Sequence, residues 1–202
     1  MCFPPGLIIL LAGILIASSP NTILNKALSI FAPIISILFI WSMPDDTSIQ
    51  FNWIELNIIL LELNPLGKLF GTVFSIMALL ASIFGFGSKM SQLELGVGYI
   101  YAGAAISVCF VGDLITLFIF WEIMALASTF IVLSGKTNSS AFSAKRYFLI
   151  HLLGGTLLLG GIAGYWINTG TISFTVMNLN TAPEFLILAA FLINAGAPPL
   201  SS

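Results

Sequence analysis

The sequence predicts an all-α transmembrane bundle with about six full spans, a broken seventh span and a short extracytoplasmic β-hairpin. Three observations lead to this fold class. Of the 202 residues, 58% are hydrophobic and only 7% are charged, whereas a typical soluble domain carries roughly 25% charged residues. The mean hydropathy of +1.09 is more than a small soluble domain can bury. Apolar stretches long enough to cross a bilayer also recur along the whole chain. The surplus apolar surface must therefore face lipid.

Composition also excludes several function classes. The net charge of −2 and the lack of a basic run argue against a nucleic-acid partner. Cys2 and Cys109 lie far apart without a C-x-x-C motif, and His151 is the single histidine, so neither a disulfide framework nor a metal site is indicated. No cofactor motif is present, so we expect no cofactor and no redox chemistry in the chain itself.

The predicted spans follow one another with short connections. They cover residues 3–18, 24–43, 66–87, 95–111, 113–133 and 145–165, and a seventh begins at residue 184. Pro33 falls inside the second span, where a membrane helix can accommodate it as a kink. The first span lacks the positively charged region of a signal peptide, so we expect it to be retained.

The basic residues predict the orientation. Lys26, Lys89, Lys136 and the Lys145–Arg146 pair follow odd-numbered spans, while the loop 44–65 is acidic. Because cytoplasmic loops are enriched in lysine and arginine, we expect the amino terminus outside, in the plasma (inner) membrane of the cell. The Lys145–Arg146 pair is predicted to anchor a helix at the cytoplasmic interface.

The acidic loop itself predicts extended structure. In "TSIQFNWIELNI" apolar and polar residues alternate, and the alternation changes phase between Trp53 and Ile54. A period of two is typical of strands, and a phase change indicates a bulge or a turn. We therefore expect a short β-hairpin over the outer face.

Glu122 lies near the centre of the fifth span, in "FIFWEIMALAS". Insertion scales put an acidic residue at mid-membrane at a cost of about 2.5–3.5 kcal/mol. Such a residue is functional by default, which makes Glu122 the first candidate for a proton pathway. The alternative is a protonated glutamate that only forms hydrogen bonds between helices.

Two other polar residues have a structural and a functional interpretation. Asp113 follows Gly112 at the start of the same span and is predicted to be a helix N-cap. His151 lies near the middle of the sixth span and could transfer protons close to Glu122. A neutral histidine with a hydrogen bond inside the bundle explains His151 equally well.

Two further motifs concern helix packing and helix breaking. Gly160 and Gly164 have the four-residue spacing that allows close helix approach. In "FLINAGAPPLSS" the residues Pro198 and Pro199 remove backbone donors, and Asn194 immediately precedes the expected break. Broken helices at membrane depth often line binding sites in transporters, so these three residues are predicted to form a discontinuous-helix site.

The motifs "GDLITLFIFWEIMALAS", "KRYFLIHLLGG" and "FLINAGAPPLSS" resemble the proton-translocating antiporter-like family. That family contains the D-type subunits of Mrp-type monovalent cation/proton antiporters, to which the details look closer, and the large membrane subunits of respiratory complex I. The resemblance implies two inverted five-helix repeats, with residues 1–94 preceding the first repeat and residues 95–202 beginning it. It also implies that Glu122 matches a functional glutamate and that Asn194 stands where the family has a lysine.

The resemblance implies a subunit that moves protons in exchange for Na⁺ or K⁺, beside other membrane subunits in the lipid bilayer. One alternative is a proton-pumping subunit of an NADH:quinone oxidoreductase. Another is a non-transporting assembly subunit or an inactive fragment, because asparagine cannot carry a proton. The missing second repeat leads us to expect the amino-terminal part of a longer protein.

Overall fold

A computed structural model of the chain describes residues 3–88, 90–135 and 137–197. These ranges contain seven α-helices and one two-stranded sheet. The helices are α1 (Pro5–Ser18), α2 (Thr22–Ser42), α3 (Pro65–Gly87), α4 (Gln92–Val108), α5 (Leu114–Leu133), α6 (Asn138–Thr169) and α7 (Ala182–Asn194), and the strands are β1 (Ser48–Trp53) and β2 (Leu56–Glu62). The predicted helical fold class with one small hairpin is confirmed.

The number of full spans differs from the prediction. Four of the described helices are long and apolar enough to cross a membrane, namely α2, α3, α5 and α6. The helices α1, α4 and α7 have 14, 17 and 13 residues, which is short of the ~20 residues that a crossing helix needs. The expectation of six full spans is therefore not supported. The helix ends explain the difference, since α1 starts only at Pro5 and α4 ends at Val108.

Helices α1 and α4 pack against each other through small residues. An ideal Cβ at Gly13 would lie 2.7 Å from the carbonyl oxygen of Gly96, and one at Gly6 would lie 2.5 Å from the backbone nitrogen of Ser107. Both distances are too short for a real side chain, so only glycine allows the two backbones to approach this closely. The contact holds the short α1 inside the bundle, where Ile9 and Ile16 are fully buried.

Helix α2 continues through Pro33 without ending. Proline has no N–H, so the carbonyl group of Ser29, four residues earlier, loses its helical partner. The hydroxyl group of Tyr99 on α4 donates a hydrogen bond to this carbonyl and also contacts the hydroxyl of Ser82 on α3. A side chain from another helix thus satisfies the backbone acceptor that the proline leaves free.

The strands β1 and β2 form the predicted hairpin. They pair antiparallel, with Phe51 opposite Ile58 and a register shift between Ile49 and Gln50. The turn falls on Ile54 and Glu55, where the alternation of apolar residues changes phase. The phase change therefore marks the turn, and the bulge lies further back in β1.

Backbone hydrogen bonds join the hairpin to the connection between α4 and α5. The backbone nitrogen of Glu62 donates to the carbonyl of Phe110 at 2.6 Å, and that of Gly112 donates to the carbonyl of Ile59 at 3.1 Å. On its other side the same segment bonds to residue 172, because the Leu114 nitrogen donates to the Ile172 carbonyl at 3.0 Å. Three backbone segments are thus joined at one end of the bundle.

Asp113 lies at the centre of this arrangement and is fully buried. Its carboxylate accepts hydrogen bonds from the backbone nitrogens of Ile59 (2.7 Å) and Thr116 (2.8 Å) and from the Thr116 hydroxyl (2.7 Å). The predicted N-cap is confirmed. The side chain also ties α5 to the hairpin, which the sequence did not indicate.

Candidate functional site

Glu122 is half-buried near the middle of α5, and its carboxyl group points at α6. An ideal Cβ at Gly155 would lie 2.9 Å from the carboxyl carbon of Glu122. Only a glycine at this position leaves room for the carboxyl group beside the α6 backbone. No hydrogen bond or ion pair from another described residue reaches this carboxyl group.

The side chain of Asn194, the last residue of α7, packs against the neighbouring residue of α6, Gly154. An ideal Cβ at Gly154 would lie 2.8 Å from the amide carbon of Asn194. Two polar side chains therefore pack against adjacent glycines of α6, Asn194 of α7 against Gly154 and Glu122 of α5 against Gly155. The structure thus brings Glu122 and Asn194 to the same level of α6.

His151 lies one helical turn before this glycine pair. Its imidazole lies near the Asn194 side chain, and the rings of His151 and Tyr147 lie 4.2 Å apart between centroids. Two buried atoms in this cluster, Nδ1 of His151 and Oδ1 of Asn194, have no partner among the described residues. Buried polar atoms normally form hydrogen bonds. Two unpaired atoms in one cluster therefore indicate that these polar side chains do more than pack the helices together.

Apolar side chains close the cluster toward α7. The rings of Trp121 and Phe191 meet edge to face, with centroids 5.0 Å apart. Ala125 is buried one turn after Glu122. An acid, an imidazole and an amide are therefore gathered among apolar helices near the middle of the bundle.

The glycine pair predicted from spacing is only half correct. Gly164 packs against Pro183, whereas a Cβ added at Gly160 would meet no atom of the described part of the chain within 4 Å. Gly161 takes the expected role instead, because an ideal Cβ there would lie 2.9 Å from the backbone nitrogen of Ile187. The reason is rotation about the α6 axis, which turns Gly160 away from α7.

The remaining predicted residues have separate locations. Lys145 and Arg146 are exposed near the start of α6, away from the glycine pair. After Asn194 the chain turns at Ala195 and Gly196, where Gly196 has a φ of 66°. Pro198 and Pro199 lie outside the described residues. In the described part of the chain, no three His, Cys, Asp or Glu side chains are grouped as a metal site would require.

Four residues of the cluster were not predicted from the sequence, namely Ser128, Tyr147, Gly154 and Gly155. The hydroxyl of Ser128 donates to the hydroxyl of Tyr147 at 3.0 Å. The four-residue spacing of Tyr147 and His151 was a usable signal, since residues so spaced lie on the same helix face.

The fold and the cluster together define a multi-pass membrane protein with ionisable side chains in its interior. Residues 111–202 match the model of the family described as NADH:quinone oxidoreductase/Mrp antiporter, transmembrane. Subunit A1 of a Na⁺/H⁺ antiporter from Staphylococcus aureus (strain JH9) is 31% identical over 148 residues, which are 68% of this chain and 18% of that protein. The chain thus spans less than a fifth of that relative's length.

Two solved structures share the fold. Respiratory complex I from Thermus thermophilus with bound NADH contains a chain that superposes with a TM-score of 0.76, at 14% identity, over 95% of this chain and 42% of that one. The Mrp complex from Dietzia sp. DQ12-45-1b gives a TM-score of 0.74 at 19% identity, over 95% of this chain and 23% of that one. The chain belongs to the antiporter-like family that includes Mrp and complex I membrane subunits. The matches do not single out the D-type subunits within it.

Proposed function

We propose that the chain is part of a membrane subunit that translocates protons, in which Glu122 takes up and releases the proton. The observation that carries the proposal is the position of the Glu122 carboxyl group against Gly155, without a bonding partner among the described residues. A structural glutamate would be expected to bond across helices, because an unbonded polar group at this depth is costly. An acid that is left free at mid-membrane is instead suited to exchange protons.

His151 is the second group of the proposed pathway. Its ring titrates near neutral pH in ordinary surroundings, and it lies one turn along α6 from the glycine that faces Glu122. Asn194 cannot take up a proton, so its role is to orient the imidazole. Pro198 and Pro199, as the predicted break after α7, remain part of this proposal.

The proposed transport is Na⁺ or K⁺ exchange for protons within a complex of several membrane subunits. The name of the Staphylococcus relative, a Na⁺/H⁺ antiporter subunit, supports antiport. The second candidate is a proton-pumping subunit of an NADH:quinone oxidoreductase, supported by the shared fold with complex I. Within this proposal, residues 95–202 begin the first five-helix repeat and residues 1–94 precede it.

We further propose that the protein lies in the plasma membrane with its amino terminus outside. Lys145 and Arg146 are exposed near the start of α6, the end expected to face the cytoplasm. At the opposite end the Lys68 side chain is buried, pairs with Asp45 at 2.6 Å and donates to the carbonyl of Met43 at 2.9 Å. This lysine is therefore neutralised locally and adds little to the topology signal.

The decisive experiment compares Glu122→Gln with Glu55→Gln in the purified complex, reconstituted in vesicles with a pH-sensitive dye inside. Glutamine keeps the size and the hydrogen-bonding capacity of Glu122 but cannot ionise. Proton flux should fall at least about 100-fold in Glu122→Gln and should be unchanged in Glu55→Gln, at the exposed hairpin turn. Unchanged flux in both variants, with normal assembly, would reject the proposal. Flux driven by a Na⁺ or K⁺ gradient indicates antiport, and flux that needs NADH and a quinone indicates the second candidate.

A further inference from the structure

Tyr147 is a polar residue of α6 that the proposed proton pathway does not yet use. Its ring lies against the imidazole of His151, with centroids 4.2 Å apart and an angle of 49° between the planes. Its hydroxyl group lies 3.0 Å from the hydroxyl group of Ser128 on α5, which is within hydrogen-bonding distance. Tyr147 therefore links α5 to His151 through one contact on each side.

Ser128 is itself held in place. Its hydroxyl also lies within hydrogen-bonding distance of the backbone carbonyls of Met124 (2.8 Å) and Ala125 (3.0 Å) on its own helix. A hydroxyl bound to its own helix backbone has little freedom to rotate. The tether to Tyr147 thus starts from a fixed point on α5.

The depth of Tyr147 in the membrane adds a second argument. The 32 residues of α6 make a helix about 48 Å long, against a hydrocarbon core about 30 Å thick. If α6 is centred, Tyr147 lies about 5 Å inside the core, between the exposed Arg146 and His151.

We propose that Tyr147 is a positioning residue that fixes the imidazole of His151 in one orientation, between the Ser128 tether on α5 and Asn194 on α7. The orientation determines which ring nitrogen faces Asn194 and which is left to exchange a proton. This inference rests on the proposed function, because the orientation of His151 matters only if His151 carries protons.

The first test uses the fact that the chain has a single histidine. Nitrogen-15 labelling of histidine in the full chain, in lipid nanodiscs, gives one pair of ring signals whose shifts report the two neutral tautomers. In the native chain one tautomer should dominate by about ten-fold. In Tyr147→Leu the ratio should fall below about three-fold, while Tyr147→Phe and Ser128→Ala should be intermediate because both variants keep the ring contact and lose only the contact between the two hydroxyl groups.

The matched control is Tyr165→Phe, which removes a tyrosine hydroxyl from the same helix. That hydroxyl contacts Thr175, far from His151, so the histidine signals should not change. Equal tautomer ratios in the native chain, Tyr147→Leu and Ser128→Ala would overturn the inference.

The second test measures proton flux in the reconstituted complex. Tyr147→Leu should lower the flux about ten-fold, and Tyr147→Phe should retain most of it. Loss of flux in Glu122→Gln without loss in Tyr147→Leu would overturn this inference and leave the proposed function intact. Unchanged flux in both variants would reject the proposed function itself. If Tyr147→Leu does not assemble, the tautomer ratio of Ser128→Ala decides, because this variant removes the tether from α5 and leaves the ring of Tyr147 in place.

Discussion

The carboxyl group of Glu122 on α5 fills the space that a side chain at Gly155 of α6 would need. A side chain at position 155 would therefore force the carboxyl group of Glu122 to move from its present place. The functional group and the packing of α5 on α6 depend on the same contact.

Gly155→Ala should therefore impair transport without removing any polar group. The added methyl group must displace the Glu122 carboxyl or separate the helices, and overpacking of this kind costs about 1–3 kcal/mol. We expect at least about a ten-fold loss of proton flux in the reconstituted complex. Gly160→Ala is the matched control on the same helix, since a Cβ added there would approach no side chain or other helix of the described residues within 4 Å. Equal flux in the two variants would contradict the described register of α5 on α6.

The Tyr99 hydroxyl should stabilise the chain only because Pro33 is present. Tyr99→Phe leaves the Ser29 carbonyl without its donor and should lower the free energy of unfolding by about 1–3 kcal/mol. Pro33→Ala restores a helical N–H to that carbonyl, so the same Tyr99→Phe change should cost less than half as much in the Pro33→Ala background. Titration with a denaturing detergent measures all four proteins. Equal costs in both backgrounds would show that Tyr99 acts through the Ser82 contact instead.

Asp113→Asn should loosen the hairpin as well as the start of α5. Both carboxylate oxygens accept hydrogen bonds, so an amide –NH₂ in place of one oxygen faces a donor. A loss of about 1–3 kcal/mol follows from the unsatisfied groups. Amide hydrogen exchange at Ile59 on β2 should become faster, and exchange near the end of α5 should not. Glu62→Gln, at an exposed position of the same strand, should leave both rates as they are.

The membrane orientation can be tested with single cysteines in a chain whose natural Cys2 and Cys109 are replaced by serine. A membrane-impermeant thiol reagent added to intact cells should label Glu55→Cys at the hairpin turn. It should not label Asn138→Cys at the start of α6, because that end is expected in the cytoplasm. Both positions are exposed on the protein, so access from one side of the membrane decides the result. The reverse labelling pattern would contradict the proposed orientation.

Local patterns predicted those features that depend on neighbouring residues in the chain. The alternation of apolar and polar residues predicted the hairpin. The place of Asp113 before an apolar run predicted the helix cap, and the apolar surroundings of Glu122 marked it as the first functional candidate. The position of Glu122 against Gly155 could not be predicted, because it depends on how far α5 and α6 are rotated and shifted against each other. The same uncertainty about rotation made Gly160 look like a packing residue, while Gly161 is the one that faces α7.

The number of full spans could not be predicted either, because hydropathy does not show where a helix ends. The apolar run at the amino end begins before Pro5, yet α1 starts only there. At α6 the polar residues before the apolar run led to a predicted start that is too late. The helix begins at Asn138 with a capped first turn, whereas the apolar run predicted a start at Lys145. The side chain of Thr137 caps the start of α6, whereas α1 begins at Pro5 without a side-chain cap.

Hydrogen bonds to the hairpin and to residue 172 fix the first end of α5. Near its other end α5 is followed by a turn in which Ser134 bonds to Phe130 of the same helix. Glu122 lies about 13 Å along the helix from the bonded end at Asp113. A tilt of about 5° around that end would move the carboxyl group by about 1 Å, which is enough to make or break a hydrogen bond. The hairpin, although far from Glu122 in the fold, would then be the fixed point about which α5 moves the acid.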